Sequence, residues 1–201
     1  MRVKIFTVIM VVFTMAIIGC ASYKPGQVAV NDVTQYTNIQ SHNGIDVAVD
    51  LYSEEMKTKE SFYLNVNEKN YYPVNLIVKN NSNNKLLLIR NNVDIVDSIG
   101  NIYSPCSCVV MTSEFERNKM AYALLGFGIF SYMSAEEANN KMETDWRDKE
   151  LADEIIINPR RRNSGFIYFK FPVGSKPKGM TLKLAFEALE TGETIPFEIT
   201  L

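Results

Sequence analysis

A mainly β domain is predicted for this 201-residue chain. The expected form is an antiparallel β-sandwich of about seven or eight strands with one helical insertion over about 113–154. Three observations predict it. Apolar and polar residues alternate in many short runs, the period of a half-buried strand. Clusters of Asn, Gly, Ser and Pro separate those runs. Between Ser113 and Glu154 the period changes to the 3.6 of a helix.

The strands follow in order. In GIDVAVDLY (44–52), Val47, Val49 and Leu51 alternate with Asp46, Ala48 and Asp50. Ser53–Ser61 is charged and reads as a loop or a helical turn. Tyr72–Lys79 puts Val74, Leu76 and Val78 on one face, with Pro73 confined to the strand's start or edge. The Asn80–Asn84 turn leads to Lys85–Arg90 and then Val93–Asp97. The turn at Ser98–Asn101 leads through Ile102–Pro105 towards Val109 and Val110. After the insertion, Gly165–Phe171, Thr181–Ala188 and Thr194–Leu201 complete the set.

Within the insertion, Ser113–Glu116 and Ser134–Glu137 both fit a capping box. The second opens a helix from Ala135 to about Asp153, on which Ala138, Met142 and Trp146 form an apolar stripe. Glu137–Lys141, Glu143–Arg147 and Asp145–Lys149 are i, i+4 pairs with the acid first, each worth about 0.2–0.5 kcal/mol. Such pairs cannot hold a helix alone, so Met142 and Trp146 must dock. The first box opens a helix that Gly126 and Gly128 weaken by roughly 1 kcal/mol each, so a bend or break is expected there.

The first 19 residues have a separate logic. Arg2 and Lys4 precede an uncharged apolar run, Ile5–Ile18. A basic start, a short apolar run and a small residue describe a secretory signal helix. The run is roughly 21 Å long as a helix, short of the ~30 Å hydrocarbon core. Its end, Ile17-Ile18-Gly19-Cys20, resembles the lipobox of bacterial lipoproteins. That resemblance implies cleavage after Gly19 and covalent lipid on Cys20, with no other cofactor. Ala21 stands where an Asp would imply retention at the inner membrane, so the expected location is the outer membrane, facing the periplasm. Residues 20–43 then read as a lipidated tether spanning roughly 25–30 Å as a flexible coil, and 44–201 as the domain. Val28–Val30 is an edge-strand alternative.

A second resemblance lies in YYPVNLIVKNNSNNKLLLIRNNVDIVDSIGNIYSP. A strand ending Asn80-Asn81-Ser82, a second apolar strand, and Asp97-Ser98-Ile99-Gly100-Asn101-Ile102-Tyr103 resemble the first half of Ig-like domains in bacterial envelope lipoproteins. The resemblance covers about 35 residues and implies an Ig-like fold, which hosts many functions.

Composition excludes some classes. Cleavage would remove two of 21 basic residues and none of 23 acidic ones, taking the net charge from −2 to −4. Nucleic-acid binding needs a basic footprint instead. His42 is the only histidine and falls in the expected tether, a poor place for a general base. No Gly-rich phosphate loop and no Gly-x-Ser-x-Gly elbow occurs, so the chain reads as non-enzymatic, with no metal and no small-molecule substrate inferred. Cys106 and Cys108 would face one side of a strand. A disulfide across one residue is strained and easily reduced, so a local disulfide and two structural thiols are both open, with thiol-redox chemistry a remote alternative. Arg160-Arg161-Arg162 could touch an acidic surface or balance residues 136–154, which carry eight acids and three bases.

MAYALLGFGIFSYMS (120–134) is too short to span a bilayer. Its Leu124, Leu125, Phe127, Ile129 and Phe130 are either core or an interaction surface for an envelope protein or the bilayer. The leading expectation is a lipid-anchored, periplasm-facing interaction or structural module. The alternative is a peptide-, protease- or glycan-binding or inhibitor module using the sandwich loops.

Overall fold

The alternating runs pair into two antiparallel sheets in the computed structural model, which describes residues 23–116 and 128–201. The first sheet has the order β1 (Ile39–His42), β2 (Ile45–Leu51), β3 (Tyr71–Asn80), β9 (Arg162–Lys170), β7 (Pro105–Cys106). The second has β6 (Ile102–Tyr103), β5 (Asp94–Val96), β10 (Thr181–Ala188), β4 (Leu86–Ile89), β8 (Glu154–Ile157), with β11 (Glu193–Thr200) along the other side of β10. Three α-helices complete the described residues: α1 (Glu55–Phe62), α2 (Cys108–Phe115) and α3 (Gly128–Lys149). None of them is long and apolar enough to cross a membrane.

One core joins the sheets. Val47, Val49, Leu76, Val78, Ile167 and Phe169 come to it from the first sheet. Leu88, Ile95, Leu182, Leu184, Phe186 and Phe197 come from the second. Each such side chain, fully buried, contributes about 1.5–3 kcal/mol relative to exposure, so this layer dominates stability. The alternation in β10 and β11 matches its burial residue for residue.

The central strand β3 departs from the half-buried expectation, because it is buried on both faces almost throughout. Two coverings account for this. Val33, in a 3-10 turn over Val33–Gln35, packs on Ala48 and Ile77. Nearer the other end, the helices lay a second apolar cluster over Tyr71, Phe166 and Tyr168.

The two motifs of the Ig-like resemblance are turn devices. Buried Asn80 donates from Nδ2 to the carbonyls of Asn84 (2.7 Å) and Ile157 (2.9 Å). Its Oδ1 accepts from the Ser82 N–H (3.0 Å) and hydroxyl (2.6 Å). Asp97 accepts from the N–H groups of Ile99 and Asn101, the Asn101 amide and the Tyr103 hydroxyl. These bonds hold its carboxyl below the ordinary range, against partial desolvation.

Several boundaries differ from expectation. β1 and β8 are additional strands. Asn43 and Gly44 both take positive φ in the β1–β2 hairpin, as a type I′ turn requires. Ser53–Ser61 is largely helical, in α1. The insertion begins at Cys108, five residues before Ser113, because the Ser107 hydroxyl caps α2 by accepting from the Val110 N–H (3.4 Å). Ser134 is no N-cap, since α3 already runs through it. α3 stops at Lys149 rather than near Asp153 because the first sheet captures the backbone. Glu150 bridges Phe166, and the Leu151 N–H donates to the Phe166 carbonyl at 2.8 Å.

Candidate functional site: an N-terminal lock on the helical face

The stripe on α3 docks as its spacing requires. Ala138 and Met142 are buried, and Trp146 is 0% exposed. Trp146 meets Phe62 of α1 and Phe115 of α2 edge-on, with ring centroids 6.0 and 5.5 Å apart. Tyr168 donates to the Trp146 carbonyl at 2.7 Å. The three expected ion pairs also form: Glu137–Lys141, Glu143–Arg147 and Asp145–Lys149. The last is partly buried, and Lys149 also donates to the Ser61 carbonyl at 2.7 Å.

The expected tether is packed from Tyr23 onward. The Tyr23 hydroxyl donates to Asp145 Oδ2 at 2.6 Å and accepts from Trp146 Nε1 at 2.9 Å. Burial, with the Asp145 carboxylate second, drives the phenol's pKa well up, so the hydroxyl stays a donor. Three residues on, Gly26 lies against the end of α1. A Cβ there would stand 2.2 Å from the Glu60 carbonyl oxygen, so only glycine permits this approach. The segment then covers the first sheet through Val33. His42 is thereby a residue of β1, not of a tether.

Beside this lock a groove of about 640 Å³ runs along α3, lined by Pro25, Met133, Glu137, Asn140, Lys141, Asp145 and Asp148 among others. Its carboxylates outnumber its one lysine. Met133 is 59% exposed. Of the apolar residues singled out from sequence, Leu124, Leu125 and Phe127 lie outside the described residues. Ile129 and Phe130 lie on α3, but their side chains lie outside them too. Cys20 and the residues expected to form a signal peptide likewise lie outside the described residues.

Cys106 and Cys108 do not sit together on a strand. Cys106 ends β7, the chain turns at Ser107, and Cys108 opens α2. Both are free thiols. Cys106 Sγ donates to the Tyr168 carbonyl at 3.4 Å. Burial pushes the Cys106 thiol up to about 11 and the Cys108 thiol up to about 12, and the Glu150 carboxylate adds to both. Thiolate is the nucleophilic form, so this environment suppresses thiol attack near neutrality. Glu150 itself accepts from the Cys108 N–H (3.0 Å) and from buried Arg90, whose other terminal nitrogen pairs with Asp153. This ties the 3-10 turn after β4 (Arg90–Asn92) and the start of α2 to the residue that follows α3.

The arginine run is partly internal. Arg160 donates to the Asn81 carbonyl and to Asn83, and Arg162 to the Asn31 carbonyl at 3.0 Å. Among the described residues no group of three or more His, Cys, Asp or Glu is placed to hold a metal ion. The Tyr23 lock escapes sequence reading because its α3 partners, Asp145 and Trp146, are 122 and 123 positions away. An aromatic two residues before a Pro-Gly pair, Tyr23-Lys24-Pro25-Gly26, is the one local sign.

No protein-family model and no curated protein matches the chain. Among solved structures it is similar to the yjhA protein from Bacillus subtilis, at 9% identity and a TM-score of 0.42, over 83% of this chain and 97% of that one. It is also similar to ycdA, a candidate lipoprotein from Bacillus subtilis, at 14% identity and a TM-score of 0.41, over 81% of this chain. The alignment spans 38% of the ycdA chain. Both TM-scores lie under 0.5, and nothing about activity follows from them.

Proposed function

We propose that this protein is a lipid-anchored envelope lipoprotein, non-enzymatic, whose two-sheet domain is an Ig-like sandwich serving as a periplasm-facing interaction or structural module. The observation that carries the reading is Ile17-Ile18-Gly19-Cys20 directly after a basic start and a short apolar run. Ala21 favours the outer membrane. The two free thiols sit in surroundings that suppress nucleophilic chemistry, which favours a binding role over thiol-redox catalysis. Replacing Cys20 with Ala tests the anchor. The native protein is expected to carry the mass of attached acyl chains on Cys20 and the C20A variant to lack it. A native protein without acyl chains on Cys20 would sink the reading.

A second reading has its own observation. Ile99, Ile102 and Val173 are exposed, Val173 at 91%. Val96 pairs with both Ile102 and Thr181, so the turn after β5 and the loop before β10 lie at one end of the second sheet. Exposed apolar side chains on the turn, on β6 and on the loop at that end suit capture of a peptide, protease or glycan. Replacing all three with Ser should abolish partner binding under this reading and leave it unchanged under the first.

A further inference from the structure

Resting on lipidation of Cys20, we infer that the domain is held on a short leash, with the Tyr23–α3 face against the bilayer that carries the anchor. The argument is one of reach. Three residue steps separate Cys20 from Tyr23, at most roughly 10–11 Å of extended chain. Tyr23 is no part of a coil. It is hydrogen-bonded to Asp145 and Trp146 of α3, and Gly26 wedges the next turn of chain onto α1. The 25–30 Å of slack that a free tether would give is therefore taken up by packing.

The surface around the leash's exit suits a headgroup layer. Tyr63 meets Tyr23 edge-on at 5.4 Å and is itself part-exposed, and Met133 shares the groove with Pro25. Tyr and Met bring apolar bodies to such an interface. Glu137 and Asp148 lie alongside and give the face no attraction to anionic lipid. Proximity thus comes from the covalent leash rather than from charge. A domain of this size has a radius of gyration of about 16 Å, so its partners must sit in the same membrane or reach to it.

The single tryptophan of the chain makes the test direct, because Trp146 lies beside Tyr23. The full lipidated protein is placed in phosphatidylcholine vesicles containing a dansyl-headgroup lipid, and energy transfer from Trp146 is measured. An insertion of about 20 Gly/Ser residues between Ser22 and Tyr23 adds roughly 25 Å of root-mean-square reach. Transfer is expected to fall by about twofold or more with that insertion, and also with Tyr23→Ala. Equal transfer in the native and insertion proteins would overturn the leash. Flotation separates the two ideas: native protein that fails to float with vesicles refutes the anchor, whereas floating protein with unchanged transfer refutes the leash. If Tyr23→Ala fails to fold, the insertion still decides.

Discussion

Removing one oxygen atom, by Tyr23→Phe, isolates the lock from the packing of its ring. The hydroxyl donates to the Asp145 carboxylate at 2.6 Å and accepts from Trp146 Nε1 at 2.9 Å. A hydrogen bond to a charged group is worth about 1.5–3 kcal/mol, and a buried group left unsatisfied costs about 1–3 kcal/mol. Two compensations limit the loss. Trp146 Nε1 still has the Phe62 carbonyl at 3.3 Å, and Asp145 keeps Lys149 at 2.5 Å. The expected net cost is about 2 kcal/mol, or a midpoint shift of about 4–8 °C for a domain of this size. Urea and thermal unfolding followed by Trp146 fluorescence and by circular dichroism give the value. A double-mutant cycle with Asp145→Asn should return a coupling energy of about 1–2 kcal/mol. A Tyr23→Phe cost below about 0.5 kcal/mol, with no coupling, would show that the hydroxyl network does not hold the segment.

Gly26→Ala drives a methyl group into the Glu60 carbonyl; overpacking of this kind costs about 1–3 kcal/mol, readable as earlier proteolytic cleavage in residues 23–36. Arg90→Ala leaves Glu150 without its buried cationic partner, and about 3–5 kcal/mol should be lost in urea titration; a loss under about 1 kcal/mol would mean that solvent reaches the pair. Thiol titration should show no fast-reacting cysteine in the folded protein at pH 7–8, with reactivity appearing on unfolding. The sign of the linked stability change follows. Below the unfolded-state value of about 8.5 both states hold their thiol protons and stability is unaffected by them. As pH rises from there towards the folded values of about 11 and 12, the unfolded chain ionises first, so stability must fall over that window.

What the sequence reveals here is what has a local period. Ala138, Met142 and Trp146 could be placed on one helix face, and their ion-pairing neighbours paired, because i, i+4 spacing is enough. Val74, Leu76 and Val78 likewise announced the inner face of β3. Ile77, on the opposite face, did not, because its cover comes from Val33, 44 positions earlier in the chain. The start of α2 was obscured by Val109 and Val110, whose β-branched side chains favour strands; the Ser107 cap and the Glu150 carboxylate on the Cys108 N–H override that preference. The end of α3 was overextended because charge pairing says nothing of Phe166, whose carbonyl captures Leu151. Tyr23 is the extreme case, a residue whose role lies wholly in partners far away along the chain.

The same separation sets an order of events. The contact between Tyr23 and Trp146 closes a loop of 123 positions, wider than any strand pairing among the described residues, where the widest joins Leu86 to Ala188, and closure entropy grows with loop length. Residues 23–36 can therefore dock after the sheets have formed and leave before they melt. They are expected to open as a separate unit, with amides that exchange hydrogen through a free energy below that of global unfolding. The kinetic expectation is that weakening the lock quickens unfolding and leaves the folding rate where it was; a slowed folding rate would place the lock in the folding nucleus.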